Sequence, residues 1–218
     1  ECNTAIAQEG MHGDYGANIG KVIAIRKDLP SLLKAYAAAG SDARMNGCEL
    51  PVVINSGSGN QGLTVSVPLI IYAEREHLDK EKLYRALVIS NLTAIHLKTE
   101  IGRLSAFCGA VSAGAACGAG LAYLKDASEE VMNHTIVNAL AITSGIICDG
   151  AKASCAAKIA VSVEAGILGY DMYMNGQQFY GGDGIISKGI ENTIHNIGVL
   201  GSQGMASTDQ EIIKIMCE

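Results

Sequence analysis

The sequence has few aromatic residues: no tryptophan, two phenylalanines and eight tyrosines among 218 residues. Lysine and arginine number 16 against 22 aspartates and glutamates, which gives a formal net charge of −6. There is no run of basic residues, so neither nucleic-acid binding nor attraction to an anionic membrane surface is indicated. Glycine is abundant at 26 residues and about half of the chain is apolar, which predicts a core of small, closely packed side chains.

The N-terminus, Glu-Cys-Asn-Thr, lacks an initiator methionine and has no charged segment followed by an apolar one. We therefore expect no secretion signal, and we expect the chain to be a fragment or a processed product. Its seven cysteines are an odd number, which does not suit a disulfide framework. Free thiols are typical of a reducing compartment, so the sequence predicts a cytoplasmic protein.

Three segments have the patterns and capping residues of helices. Residues 78–97 carry leucines at helical spacing after an aspartate that suits the N-cap. Residues 128–147 begin with Ser128 and two glutamates, which suit the positive end of a helix dipole. Thr208 and Glu211 have the spacing of a capping box, which predicts a helix that closes the chain.

Residues 104–124, LSAFCGAVSAGAACGAGLAYL, contain no charge. The length suits a membrane span, but alanine, glycine and serine gain little in lipid. Gly114 and Gly118 form a GxxxG pair, which lets helices approach closely. A helix that is apolar on every side is a core helix in a soluble protein, and we favour that interpretation. The predicted fold is therefore mainly α, a helical bundle around a buried small-residue helix at about 104–124, with a few short strands or extended loops.

Residues 49–62, ELPVVINSGSGNQG, predict a short extended run followed by a glycine-rich loop. Successive backbone N–H groups in such a loop can bind an anion, so Ser58, Gly59, Asn60 and Gln61 are candidates for binding a substrate carboxylate. An ordinary tight turn is the alternative. The loop is not a Walker A motif, but it is similar to the Ser-x-Gly-Asn loop of dehydratases that use pyridoxal phosphate (PLP).

Several basic residues are further candidates for binding an anion. Arg44, in SDARMNG, can pair with a substrate carboxylate through two hydrogen bonds, or it can form a structural salt bridge with Asp42. Arg103 and Lys152 stand near cysteines and can balance the charge of a metal centre, or they can be solvated charges at helix ends. The five histidines are scattered, and none is assigned as a general base.

Cys108, Cys148 and Cys155 are candidate metal ligands. Cys148 and Cys155 are seven positions apart, so they either share a helical face or bracket a loop at a helix N-terminus. On spacing alone, three buried structural thiols are the better supported interpretation, because no C-x-x-C is present and the paired ligands of a zinc site are absent. The other interpretation is a [4Fe–4S] cluster with one open iron that acts as a Lewis acid. Cys217, near the end of the chain, is either an exposed thiol or a residue that reaches such an iron.

The motifs SDARMNG, GSGNQG, IGRLSAFCGA and ICDGAKASCAAK occur in this order. Together they resemble the α-domain of the iron–sulfur L-serine dehydratases, most closely the L-cysteine desulfidase branch, over about residues 6–216. The resemblance implies one domain of this type over residues 1–218, with a [4Fe–4S] cluster held by Cys108, Cys148 and Cys155. The steps of 40 and 7 positions between these cysteines are similar to those of the desulfidase branch.

The reaction implied by the resemblance is α,β-elimination, in which the open iron takes the β-substituent and a base removes the α-proton. L-Cysteine would give pyruvate, ammonia and sulfide, and L-serine would give pyruvate and ammonia. Members of this branch have a longer N-terminal half with a reactive cysteine motif that is missing here. The chain is therefore expected to be the cluster-bearing C-terminal half, inactive alone, with its base in the other half and an apolar patch exposed.

The expected partners are a small amino-acid substrate and the N-terminal half of the same protein, with a homodimer left open and no nucleic acid or membrane. One alternative is a PLP-dependent amino-acid dehydratase. It requires an α/β fold and a Schiff-base lysine upstream of the loop, where Lys21, Lys27 and Lys34 stand. The other alternative is a non-catalytic helical domain with structural cysteines.

Overall fold

The computed structural model describes residues 1–102 and 104–218, and this part of the chain is mostly helical. The helices are α1 (Cys2–His12), α2 (Ile19–Ala24), α3 (Leu29–Met45), α4 (Gly59–Arg75), α5 (Lys80–Ile101), α6 (Gly109–Leu124), α7 (Glu129–Thr143), α8 (Cys155–Met174), α9 (Ile190–Val199) and α10 (Ala206–Cys217). A π-helical turn at Leu200–Gly204 joins α9 to α10. No β-sheet forms within the described residues, and the predicted mainly α fold is confirmed.

Helix α6 lies at the centre of the bundle. Fourteen of its 16 residues are buried, and α4, α5, α7 and α8 pack around it. A Cβ added at Gly114 would lie 2.3 Å from the carbonyl oxygen of Ser162 in α8, and one at Gly118 would lie 2.8 Å from the Cα of Gly166. The predicted core helix of small residues is therefore confirmed, although it begins at Gly109, later than predicted. Among the described residues, no helix combines the length and the hydropathy needed to cross a bilayer.

Side-chain caps mark the starts of four helices. Asp28 and Asp79 each accept a hydrogen bond from the backbone N–H three positions later, at 2.8 and 2.9 Å. Ser58 and Ser128 cap α4 and α7 in the same way. The two predicted caps, at Asp79 and Ser128, are confirmed, because each hydroxyl or carboxylate satisfies a backbone donor that the helix leaves free.

Two helix ends differ from the prediction. Helix α5 continues to Ile101 and ends where Gly102 has a φ of 89°. Helix α7 ends at Thr143, so the residues that follow, 144–154, form the loop that carries Cys148. This second difference matters for the site, because Cys148 lies in a loop and not at the end of a helix.

The predicted capping box near the C-terminus is wrong. Helix α10 begins at Ala206 directly after the π-helical turn, so Thr208 lies inside a helix and not at its start. Glu211 pairs with Lys214 at 2.9 Å instead of reaching back to a helix cap. The chain is already helical before Thr208, and no free helix start is left there to cap.

Candidate functional site

A short antiparallel pairing brings Cys108 and Cys148 side by side. The backbone N–H of Cys108 donates to the carbonyl oxygen of Ile146 at 3.2 Å, and that of Cys148 donates to the carbonyl oxygen of Ala106 at 2.6 Å. An isolated β-bridge joins the same two segments. Cys108 is the N-cap residue of α6 and is 8% exposed. The pairing therefore holds both cysteines at the N-terminus of the central helix.

Cys155 is the first residue of α8, so the chain between Cys148 and Cys155 forms a loop. The Sγ of Cys155 donates a hydrogen bond to the carbonyl oxygen of Gly150 at 3.5 Å. Gly150 has a φ of 98°, a conformation that favours glycine. Of the two arrangements that the spacing left open, the structure shows a loop bracketed by the two cysteines at a helix N-terminus.

A cavity of about 310 Å³ lies where α4, α5, α6 and α8 approach one another, and all three cysteines line it. Four of the five residues predicted to bind a substrate line the same cavity. They are Arg44, Ser58, Asn60 and Gln61. The fold therefore places the predicted metal ligands and the predicted substrate-binding residues around one space.

Arg44 reaches this cavity from α3. Its Nη1 donates to Oδ1 of Asn60 at 3.2 Å. Asp42, the alternative salt-bridge partner, instead accepts the backbone N–H of Gly20 at 2.9 Å and so holds the start of α2. A Cβ at Gly59 would lie 2.3 Å from Nε of Arg44. Gly59 therefore serves the site by leaving room for the guanidinium group.

The glycine-rich segment is both a tight turn and a helix N-terminus. Ser56 and Gly57 have left-handed backbones, with φ of 48° and 82°, and they lead into Ser58, whose Oγ accepts the N–H of Gln61 at 3.4 Å. Within the described part of the chain, the buried Oε1 of Gln61 has no hydrogen-bond partner. A Cβ at Gly109 would lie 2.5 Å from the Nε2 of Gln61, so that glycine permits the placement. A donor group in the cavity would satisfy this oxygen, which is costly to leave unpaired.

Lys98, on α5, also lines the cavity, and the sequence analysis did not single it out. The side chain is buried, with 6% exposure, and no salt bridge among the described residues includes it. A signal was present in the sequence, since Lys98 stands four positions after Ala94 and three before Ile101, both on the buried face of the helix. An unpaired ammonium group in a cavity attracts an anion.

Lys158, on α8, is the second lysine of the cavity that sequence reasoning missed. It stands three positions after Cys155, almost one helical turn, and this spacing was the available signal. Its Nζ donates to the carbonyl oxygen of Ile147 at 3.0 Å and pairs with the carboxylate of Asp149. Burial lowers the pKa of Lys158, but the hydrogen bond to Asp149 and the charge of that residue outweigh burial and raise it.

The cavity is positively charged when its thiols are protonated. Burial raises the pKa of the Cys108 thiol; the nearby thiols of Cys148 and Cys155 add to this rise and Lys158 opposes it. Burial lowers the pKa of Lys98, against the attraction of Cys148 and Cys108. In the described part of the chain no carboxylate lines the cavity, so an anion would find three cationic side chains, of which Lys158 is already paired with Asp149 behind the lining.

Of the two cations predicted to lie near the cysteines, only Lys152 is among the described residues. Lys152 is exposed and does not line the cavity, whereas Lys158 does. Arg103 lies outside the residues that the structure describes.

Two other cysteines are placed differently from these three. Cys117 is buried in the middle of α6, and burial raises the pKa of its thiol. Cys217 is exposed on α10. Its neighbour Met216 lies close to the cysteine loop, with Cε 3.1 Å from where a Cβ of Gly150 would stand. The C-terminal helix therefore folds back towards the site, while Cys217 itself is not part of the cavity lining.

Within the described residues, no three histidine, cysteine or acidic side chains converge as the ligands of a single metal ion would. The cysteines of an iron–sulfur cluster are arranged differently, because they surround a multi-atom cluster and bind different irons. Three thiols spread around one cavity are compatible with that donor set.

A model of the family described as serine dehydratase alpha chain matches residues 1–214. The UPF0597 protein of Desulfitobacterium hafniense is 64% identical over 218 residues, and the match covers 99% of this chain and 51% of that protein. UPF0597 proteins of Lachnoclostridium phytofermentans and Finegoldia magna are 54% and 52% identical, with 52% of each covered. The chain thus spans about half the length of the curated relatives it matches. No solved structure matches it.

Proposed function

The chain belongs to the serine dehydratase alpha chain family, and we propose that it is the cluster-bearing part of a [4Fe–4S]-dependent lyase. The proposed reaction is α,β-elimination of L-cysteine to pyruvate, ammonia and sulfide, or of L-serine to pyruvate and ammonia. The observation that carries the proposal is a single cavity of about 310 Å³ lined by three thiols and three cationic side chains.

Cys108, Cys148 and Cys155 would hold the cluster, since all three line the cavity. Lys98 and Lys158 are close enough for their charges to act on these thiols, and they would balance the thiolates. Three cysteine ligands leave one iron without a protein ligand. When bound, the cluster supplies a Lewis acid that polarises the bond to the β-substituent.

Arg44, Asn60 and Gln61 would bind the amino acid. Arg44 uses Nη1 for Asn60, which leaves its other N–H groups for a carboxylate. The N-terminus of α4 adds the positive end of a helix dipole at the same place. The unpartnered Oε1 of Gln61 would accept a hydrogen bond from the substrate ammonium group. These contacts are typical of recognition of a zwitterionic amino acid.

The general base is proposed to lie in the part of the protein that this chain does not contain. In the described residues, neither a histidine nor a carboxylate lines the cavity. We therefore propose that the chain alone is inactive and that the remaining half of the family's length completes the site. A reducing cytoplasm is proposed as the location, because all seven cysteines are free.

The two alternatives fit the structure less well. A PLP dehydratase requires an α/β fold, whereas the described residues form helices without a sheet, and Lys34 of the upstream lysines pairs with Glu164. Purely structural thiols would have no reason to meet at one cavity. Cys108, Cys148 and Cys155 instead line the same cavity.

The test uses a full-length chimera, defined as the Desulfitobacterium hafniense relative with this chain in place of the matching segment. The chimera is prepared and reconstituted with iron and sulfide without oxygen, and pyruvate is measured with L-cysteine and with L-serine. We expect pyruvate from at least one substrate, together with sulfide from L-cysteine. Arg44→Met should raise KM by about tenfold or more, the worth of a charge-assisted carboxylate contact, and Arg44→Lys should raise it less. A folded chimera that binds iron and gives no pyruvate from either amino acid would overturn the proposed reaction.

A further inference from the structure

Helix α5 presents a row of exposed apolar side chains on its outer face. Tyr84, Val88, Leu92 and Ile95 are 57%, 56%, 59% and 46% exposed. They follow one another at steps of four, four and three residues, so they share one face of the helix. Large apolar side chains scattered singly are normal on a surface, whereas a row of them is not.

The extended segment before α4 widens this row. Val53 and Ile54 are 61% and 60% exposed. The Nδ2 of Asn55 donates to the backbone and side-chain oxygens of Asn91 at 3.2 and 3.0 Å, which ties the segment to α5. Ile54 also shares a surface groove with Ile95. These six exposed apolar side chains lie on α5 and on the segment tied to it, and we call them the α5 face.

The α5 face ends at the mouth of the candidate site. The groove that holds Ile54 and Ile95 is also lined by Ser56, Gly57 and Lys98. These last three residues line the cavity of the cysteines as well. A polypeptide that covered the α5 face would therefore also reach over the cavity.

We propose that the α5 face binds the polypeptide that makes up the remaining half of the family's length. The chain covers 51% of the Desulfitobacterium hafniense relative, so a segment of comparable size accompanies it there. A second copy of this chain is the less suitable occupant, because it would bring the same residues to a cavity whose described lining has neither a histidine nor a carboxylate. The choice of this occupant rests on the proposed function, in which the remaining half completes the site, whereas the labelling test below measures packing alone.

The experiment compares hydroxyl-radical labelling of side chains in this chain alone and in the full-length chimera. Tyr84 and Leu92 should label about fivefold less in the chimera, as expected when half-exposed side chains become the core of an interface. Val22 and Ile25, which are exposed near α2, serve as controls and should label equally in both. Leu92→Asp in the chimera should restore labelling of Tyr84, whereas Val22→Asp should leave Tyr84 protected.

Two results would overturn the proposal. One is equal labelling of Tyr84 and Leu92 in the isolated chain and the folded chimera. The other comes from sedimentation of the isolated chain: a dimer that protects Tyr84 and that Leu92→Asp dissociates would make a second copy the occupant. If the chimera does not fold, the same labelling of the intact Desulfitobacterium hafniense relative, at the peptide that aligns with residues 84–95, decides the question. Protection of that peptide supports the proposal, and full labelling rejects it.

Discussion

Replacing Lys98 by methionine should make the protein more stable and its site less able to bind an anion. Lys98 is 6% exposed and forms no salt bridge with a described residue, so folding removes its charge from water without a compensating ion pair. Methionine is similar in size to the apolar part of the lysine side chain, and it carries no charge. Because the effective cost of burying an ion is several kcal/mol and part of it is relieved by the open cavity, we expect a gain of about 1–3 kcal/mol.

The free energy of unfolding of the cluster-free chain is measured by urea titration, with circular dichroism as the signal. In thermal unfolding, each kcal/mol gained should raise Tm by about 2–4 °C for a chain of this length. Lys152→Met is the matched control, since Lys152 is exposed outside the cavity, and its free energy of unfolding should change by less than about 0.5 kcal/mol. In the reconstituted chimera, Lys98→Met should lower the amount of bound iron, because a cation that would balance the cluster thiolates is lost. A loss of stability in Lys98→Met similar to that of other core substitutions would refute the reasoning, since it would mean that Lys98 has a partner within the fold.

Three further predictions concern positions away from the site. Gly114→Ala should lower the free energy of unfolding in urea titrations by about 1–3 kcal/mol, because its Cβ would lie 2.3 Å from a backbone oxygen of α8. Gly145→Ala is the control and should be nearly neutral, since its Cβ would meet nothing within 4 Å. Equal effects of the two substitutions would contradict the packing of α6. The hydrogen bonds from Ser31 lower the pKa of Asp28 below 3.8, so its contribution to stability is complete above that value and is lost as pH falls through the lowered pKa. Asp28→Asn should therefore be less stable than the parent near neutral pH and equal to it in strong acid, and a constant difference at both would argue against a contribution from the carboxylate charge. Burial raises the pKa of the Cys117 thiol, so iodoacetamide should modify exposed Cys217 in the native chain and Cys117 only after unfolding. Mass spectrometry of digests measures both modifications. Modification of Cys117 in the native chain would contradict its burial.

Local signals in the sequence predicted the parts of the fold that depend on local chemistry. Asp79 and Ser128 were recognisable as caps because capping involves residues three positions apart. The small-residue helix was recognisable because its glycines have no other use than close packing. The start of α10 was missed because the preceding helix and π-helical turn continue into it, and a capping pattern within a helix looks the same in the sequence as one at its start.

The site was predictable only in part. The resemblance to a known family singled out Cys108, Cys148 and Cys155, and the structure places all three on one cavity, but their role as ligands stays a prediction. Lys158 was missed although it stands three positions after Cys155, because the same spacing also suits a solvated lysine. Lys98 has the spacing of a buried helical position, but it reaches the cavity from another helix, and its relation to the cysteines is tertiary.

The central claim is that these three cysteines hold an iron–sulfur cluster. The most direct test is the amount of iron and acid-labile sulfide bound per chain after reconstitution without oxygen, measured in the full-length chimera and in single cysteine variants. We predict about four iron atoms and four sulfides per chain in the parent. Cys148→Ser and the corresponding variants of Cys108 and Cys155 should lose most of the iron and sulfide, whereas Cys117→Ala and Cys2→Ser should lose none. Unchanged iron in Cys148→Ser, or equal loss in the two controls, would contradict it.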